Sequence, residues 1–142
     1  MDRRTLLAGI GAGAIASAMT GFELGAQTGG SNGTVYELRI YHAAEGKLDA
    51  LLARFRDHTI TIFARHGIKS VAYWTPTDDP LKGHTLVYML EHPSRELATA
   101  NWKAFHDDPE WKKVSAESEA NEKLVEKVES TFLARTAFSP KI

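Results

Sequence analysis

The strongest constraint on the fold is the order of hydrophobic periods after residue 34. Val35-Tyr36-Glu37-Leu38-Arg39-Ile40-Tyr41 alternates at period two and predicts a strand. Tyr36, Leu38 and Ile40 fall on one face; Val35, Glu37, Arg39 and Tyr41 fall on the other. From Lys47 to His66 the period becomes helical, with Leu48, Leu51, Leu52, Phe55, Thr59, Ile62, Phe63 and His66 on one stripe and Gly67 placed as a cap. Two more strands are expected, Ile68 to Thr75 and Thr85 to Glu91, joined by the turn-rich Pro76–Gly83 as an antiparallel hairpin. Ser94 caps a helix with Leu97, Ala98, Trp102 and Phe105 on one face. Asp108-Pro109 restarts it, with Trp111 and Val114 pointing one way. A last strand is expected over Val125 to Leu133, followed by an irregular tail from Ala134 to Ile142.

Strand, helix, strand, strand, helix, strand is the ferredoxin-like βαββαβ order, an α+β fold with an antiparallel four-stranded sheet. Helices cover one face of such a sheet and leave the other bare. Val35, Glu37, Arg39 and Tyr41 are expected on the bare face. An exposed, partly apolar face marks a partner surface, and the simplest partner is a second copy closing a dimeric α+β barrel.

The first 33 residues read differently. They hold eight of the 11 glycines and the uncharged run Thr5 to Phe22. Arg3-Arg4, two leucines and a weak Gly/Ala-rich apolar run resemble a twin-arginine signal peptide. Asp2 and Ala8 depart from that pattern. Ala16-Ser17-Ala18 and Leu24-Gly25-Ala26 resemble cleavage sites. The run is too short and too diluted by glycine for a membrane span, which needs about 20 apolar residues. Residues 1–26 are therefore read as the signal, 27–33 as a flexible lead-in and 34–142 as the folded domain. A periplasmic or secreted location follows, with no stable membrane anchor after cleavage.

The formal charge of −1 persists when the first 33 residues, with Asp2, Arg3, Arg4 and Glu23, are set aside. A protein that tracks nucleic-acid phosphates carries a basic excess, so that class is excluded. The chain has no cysteine, which removes disulfides, thiol nucleophiles and thiolate metal sites.

Several segments read together resemble the NIPSNAP domain family. They are Val35-Tyr36-Glu37-Leu38-Arg39, Gly46-Lys47-Leu48-Asp49, Phe55-Arg56-Asp57-His58-Thr59, His66-Gly67-Ile68, Tyr73-Trp74 and Leu86-Val87-Tyr88. Trp102-x-x-Phe105-x-x-Asp108-Pro109-Glu110-Trp111 and Val128-Glu129-Ser130 complete the set. The resemblance implies a dimeric α+β barrel. It leaves the activity open, because the wider superfamily holds cofactor-free monooxygenases, haem-linked enzymes and non-catalytic ligand binders.

No catalytic set is defined by the residues. The six histidines show no H-x-x-x-H or H-E-x-x-H spacing, and no metal site is expected. His66, at the apolar end of the first helix, is the first candidate for acid–base or haem contact, and His58 the second; hydrogen-bonded or solvated histidine is the competing account. The sequence requires no cofactor, though a haem is compatible with it. Glu37 and Arg39, two apart on a strand, form either a ligand-holding pair or an internal ion pair. Tyr41, Tyr73, Trp74 and Tyr88 complete the candidate ligand-binding set. The expected pocket lies between sheet and helices, closed by Phe63, Trp102 and Phe105, with plain core packing as the alternative. Two functions stay open: a homodimer binding a small apolar or aromatic ligand, and a cofactor-free or haem-linked monooxygenase.

Overall fold

The computed structural model describes residues 33–142. The expected signal, residues 1–26, lies outside the described residues, as does the lead-in except for Gly33. Alternation along the first segment forms β1 (Val35–Ala43). Strands β2 (Lys69–Trp74), β3 (Thr85–His92) and β4 (Val125–Leu133) complete a sheet of order β2-β3-β1-β4. Each neighbouring pair is antiparallel. With two helical regions on one face, this is the ferredoxin-like α+β arrangement.

The first helix, α1, runs without a break through Leu48–Arg54, Phe55–Thr59 and Ile60–Arg65. Its middle segment is a π-turn. Leu51, Phe55, Thr59 and Phe63 face the core at four-residue spacing. On a regular α-helix each such step drifts by about 40°, since a turn takes about 3.6 residues. The wider turn corrects that drift and keeps all four side chains inward. The Thr59 hydroxyl donates to the Arg54 carbonyl, five residues back, at 3.2 Å. The periodicity alone predicts a regular helix; the π-turn is a finding of the structure. Gly67 ends α1 at φ +77°, and a Cβ there would stand 3.0 Å from Asn101 Nδ2.

Helix α2 (Arg95–Asp107) starts at Ser94, whose hydroxyl accepts from the Leu97 amide at 3.0 Å. Helix α3 (Pro109–Ser118) follows at once, its cap Asp108 accepting from the amides of Glu110 and Trp111. Ala98 and Phe105 of α2 are buried, but Leu97 is 46 % exposed. The expected placement of Leu97 on the inner face is corrected: positions 98, 102 and 105 define that stripe, and 97 lies a turn's width to its side. The core is a cluster of Leu51, Phe55, Ile62, Phe63, Ile68, Leu86, Tyr88, Leu90, Phe105 and Leu124.

The face of the sheet away from the helices carries Tyr36, Leu38 and Ile40 of β1, level with Glu91, Met89 and Val87 of β3. Ala72 and Trp74 of β2 continue it. Strand β4 pairs only with β1 and is exposed along most of its length. Tail residues Ala134, Arg135, Thr136 and Ile142 border a groove on this face with Tyr36, Met89 and Leu133. Among the described residues no helix is long and apolar enough to cross a membrane.

Candidate functional site

Glu37, Arg39 and Tyr41 share one face of β1, level with Leu90, Tyr88 and Leu86 of β3 and with Phe132, Ser130 and Val128 of β4. That face is the one the helices cover, so the expected bare-face position of Glu37 and Arg39 is corrected. The reason is visible in their partners. Tyr41 packs edge-on to Phe55 of α1, with centroids 5.6 Å apart. Trp102 of α2 lies over the Arg39 guanidinium, 4.4 Å from carbon to ring centre. Two opposite charges two residues apart can enter a protein interior together, whereas either alone would stay out.

Glu37 is the hub of the site, its side chain 2 % exposed. Oε1 accepts from His92 Nε2 at 2.8 Å and from Trp102 Nε1 at 2.8 Å. Oε2 accepts from Arg39 at 2.7 Å and from the Ser130 hydroxyl at 2.7 Å. One carboxylate thus ties together β1, β3, β4 and α2. Burial pushes the Glu37 carboxyl up, but the hydrogen bonds from His92, Trp102, Ser130 and Arg39 outweigh it and hold it at about 2. With its Nε2 donating to Glu37, His92 keeps a buried Nδ1 that has no hydrogen-bond partner among the described residues.

Arg39 also donates from Nε to the Tyr88 hydroxyl at 2.9 Å and from Nη2 to the Tyr41 hydroxyl at 3.2 Å. Burial opposes its charge, and the oxygens of Tyr88, Tyr41 and Glu37 more than offset this, so it remains a cation. Burial pushes the Tyr88 and Tyr73 phenols up, which keeps both protonated.

A groove of about 310 Å³ opens beside this hub. Helix α2 contributes Arg95, Thr99, Trp102 and His106, a stripe at i, i+4, i+7 and i+11. The strands contribute Glu37, Arg39 and Phe132. The Arg95 guanidinium stacks 3.6 Å from the centre of the Phe132 ring. His106 lies flat on Trp102, rings 5.6 Å apart and 24° from parallel, and its Nδ1 donates to the Trp102 carbonyl at 3.0 Å. Two aromatic side chains and two guanidinium groups therefore line one small space, with Arg39 and His106 against the Trp102 ring and Arg95 over Phe132.

The NIPSNAP family pattern matches residues 36–140, nearly all of the sheet and helices just described. The chain belongs to the NIPSNAP family. Solved structures agree on the fold. A NIPSNAP-like domain protein from Burkholderia xenovorans superposes with a TM-score of 0.68 at 18% identity, covering 79% of this chain and 93% of its own. A NIPSNAP family protein of unknown function from Agrobacterium tumefaciens gives 0.68 at 22% identity, over 79% and 96%. A further one from the same organism gives 0.65 at 24% identity, over 75% and 97%. No protein with a curated description matches the chain.

The remaining sequence candidates scatter across this NIPSNAP domain. Tyr73 and Tyr88 stack at 5.1 Å and 20°, and Tyr88 meets Phe55 at 5.1 Å. With Tyr41 they belong to the packed interior, and Phe63 and Phe105 fill the space expected to be a pocket. The opening lies further along, over Trp102. Trp74 is 50 % exposed and points away from the helices, so it shares no pocket with Tyr73 or Tyr88. His66 Nε2 sits 2.6 Å from Asp108, in an ion cluster with Arg65 and Glu110 that fastens the end of α1 to the start of α3. That contact, with the capping amides of Glu110 and Trp111 and the Arg65 guanidinium, outweighs burial and leaves the Asp108 carboxyl well below the usual range. His58 is exposed on the π-turn and borders a separate groove with Arg54, Asp57, Val114, Glu117 and Ser118. Among the described residues no three or more His, Asp or Glu gather in a metal-holding group.

Sequence reasoning missed Arg95, Thr99, His106, Phe132, His92 and Ser130. The signal for the first three was the α2 stripe itself, which shares Trp102 with the apolar face already recognised.

Proposed function

We propose that this NIPSNAP protein is an exported homodimeric binding module that holds a small aromatic ligand in the groove over Trp102. The observation that carries the reading is the pairing of aromatic walls, Trp102 and Phe132, with a guanidinium that Glu37 already holds in place. A pre-positioned polar group beside apolar walls is the usual construction of a ligand site. The volume of about 310 Å³ is at the small end for such sites, which suits a single ring. Titration of the full chain with phenol, followed by the Trp102 indole N–H resonance, tests it. That resonance is expected to shift saturably, and a response confined to residues outside the groove would sink the reading.

The second copy belongs on the open sheet face. Leu38, Ile40, Val87 and Met89 lie at its centre without a charge among them, and a self-complementary apolar patch suits a two-fold dimer. Ile40→Lys should convert a dimer to a monomer on size-exclusion chromatography. The lysine would stand opposite Glu129 of β4, so the protomer tolerates it. A wild-type domain that elutes as a monomer at micromolar concentration would remove the dimer. Export rests on the Arg3-Arg4 segment. Changing both to lysine should leave the protein in the cytoplasm, and unchanged delivery would rule out the twin-arginine route.

A further inference from the structure

The charges around the groove point to one class of ligand. Among the described residues Glu37 is the only carboxylate lining it, and both of its oxygens already accept two hydrogen bonds. A cationic ligand would find no free acceptor of opposite charge there. Arg39 is neutralised by Glu37 at 2.7 Å. Arg95 is not neutralised: among the described residues it pairs with no acid, and its guanidinium lies over Phe132 at the rim. The permanent charges of the lining therefore leave one positive charge over. Arg39 adds direction, since its three hydrogen bonds to Glu37, Tyr88 and Tyr41 use three of its five N–H groups.

We propose that the groove selects small planar aromatic carboxylates, with Arg95 holding the carboxylate and the ring resting in the space that Trp102, Phe132 and Thr99 line. The proposal rests on the ligand-binding reading above and narrows it to an acid. Stacking holds the Arg95 guanidinium flat, which suits the planar fork that pairs with a carboxylate.

Calorimetric titration of the full chain with benzoate, phenol and benzylamine separates the possibilities. Benzoate is expected to bind at least about tenfold more tightly than phenol, the size expected from one hydrogen bond to a charged group. Benzylamine should bind more weakly than either. Arg95→Gln should bring benzoate affinity down to that of phenol, and an unchanged circular dichroism spectrum reports that the variant is folded. Phenol binding as tightly as benzoate, or a preference that survives Arg95→Gln, overturns the acid proposal and leaves the binding module standing. Failure of all three arenes to bind overturns both.

Discussion

Glu37→Ala should cost about 3–5 kcal/mol of folding stability, the range for removing one partner of a buried ion pair. The loss is large because four donors depend on that carboxylate. Without it, the Arg39 charge stays inside, His92 loses its acceptor where water is excluded, and Trp102 and Ser130 lose theirs nearer the surface. Urea unfolding at neutral pH measures it; a change below about 1 kcal/mol would mean that the four bonds are not cooperative. The variant also predicts a pH signature. The Glu37 carboxyl titrates at about 2 in the fold against an ordinary value of 4.5. A lowered carboxyl stabilises the fold above the unfolded value, and that stabilisation fades as pH falls from 4.5 through about 2. The wild type should therefore lose stability over that interval, and Glu37→Ala should lose correspondingly less.

Phe63→Ala is the second large effect, expected at about 3–5 kcal/mol from lost transfer energy and the cavity left behind. Phe63 is 1 % exposed, and its ring meets four others: Phe105 at 4.9 Å, Trp102 at 5.4 Å, Phe55 at 6.2 Å and Tyr88 at 6.3 Å. Those neighbours come from α1, α2 and β3, so no single element can collapse into the hole. Domains of this size hold only about 5–15 kcal/mol in total, so the variant would be close to unfolding. Trp74→Ala is the control. Made in the Ile40→Lys background, where that face stays unpaired, it removes a larger ring from the open face and should leave the urea midpoint nearly unchanged; a loss matching that of Phe63→Ala would refute the assignment of faces.

The elements were legible because their punctuation is local. Gly67, Ser94 and Asp108-Pro109 end or start helices through backbone chemistry that needs no tertiary context. The covered side of the sheet was not legible, and the reason lies in β1. Tyr36, Leu38 and Ile40 are the more apolar set, so hydropathy directs them inward. The structure instead buries Glu37 with Arg39, because Trp102, His92 and Ser130 supply the remaining donors from 55 to 93 residues away. A pair of charges is polar one residue at a time and nearly neutral as a unit. The partner of His66 was hidden for a similar reason: Asp108 was already accounted for as a helix cap, and one carboxylate does both tasks. The π-turn left no mark in the hydrophobic period, since four-residue spacing is also normal for an α-helix.

The position of β4 has a consequence for the order of events during folding. Strand β1 is the first to leave the ribosome among the described elements and β4 the last, yet they lie side by side. Glu37 meets Ser130 across 93 residues of chain. Closing so long a loop is slow, and contacts of this separation set the pace of folding in small domains. Phe132, one wall of the groove, arrives on the same strand. A chain still in synthesis can assemble the hairpin of β2 and β3 beneath α1, but it has no groove. The groove is closed by the last of the described strands to be made, so it cannot take a ligand before β4 has emerged.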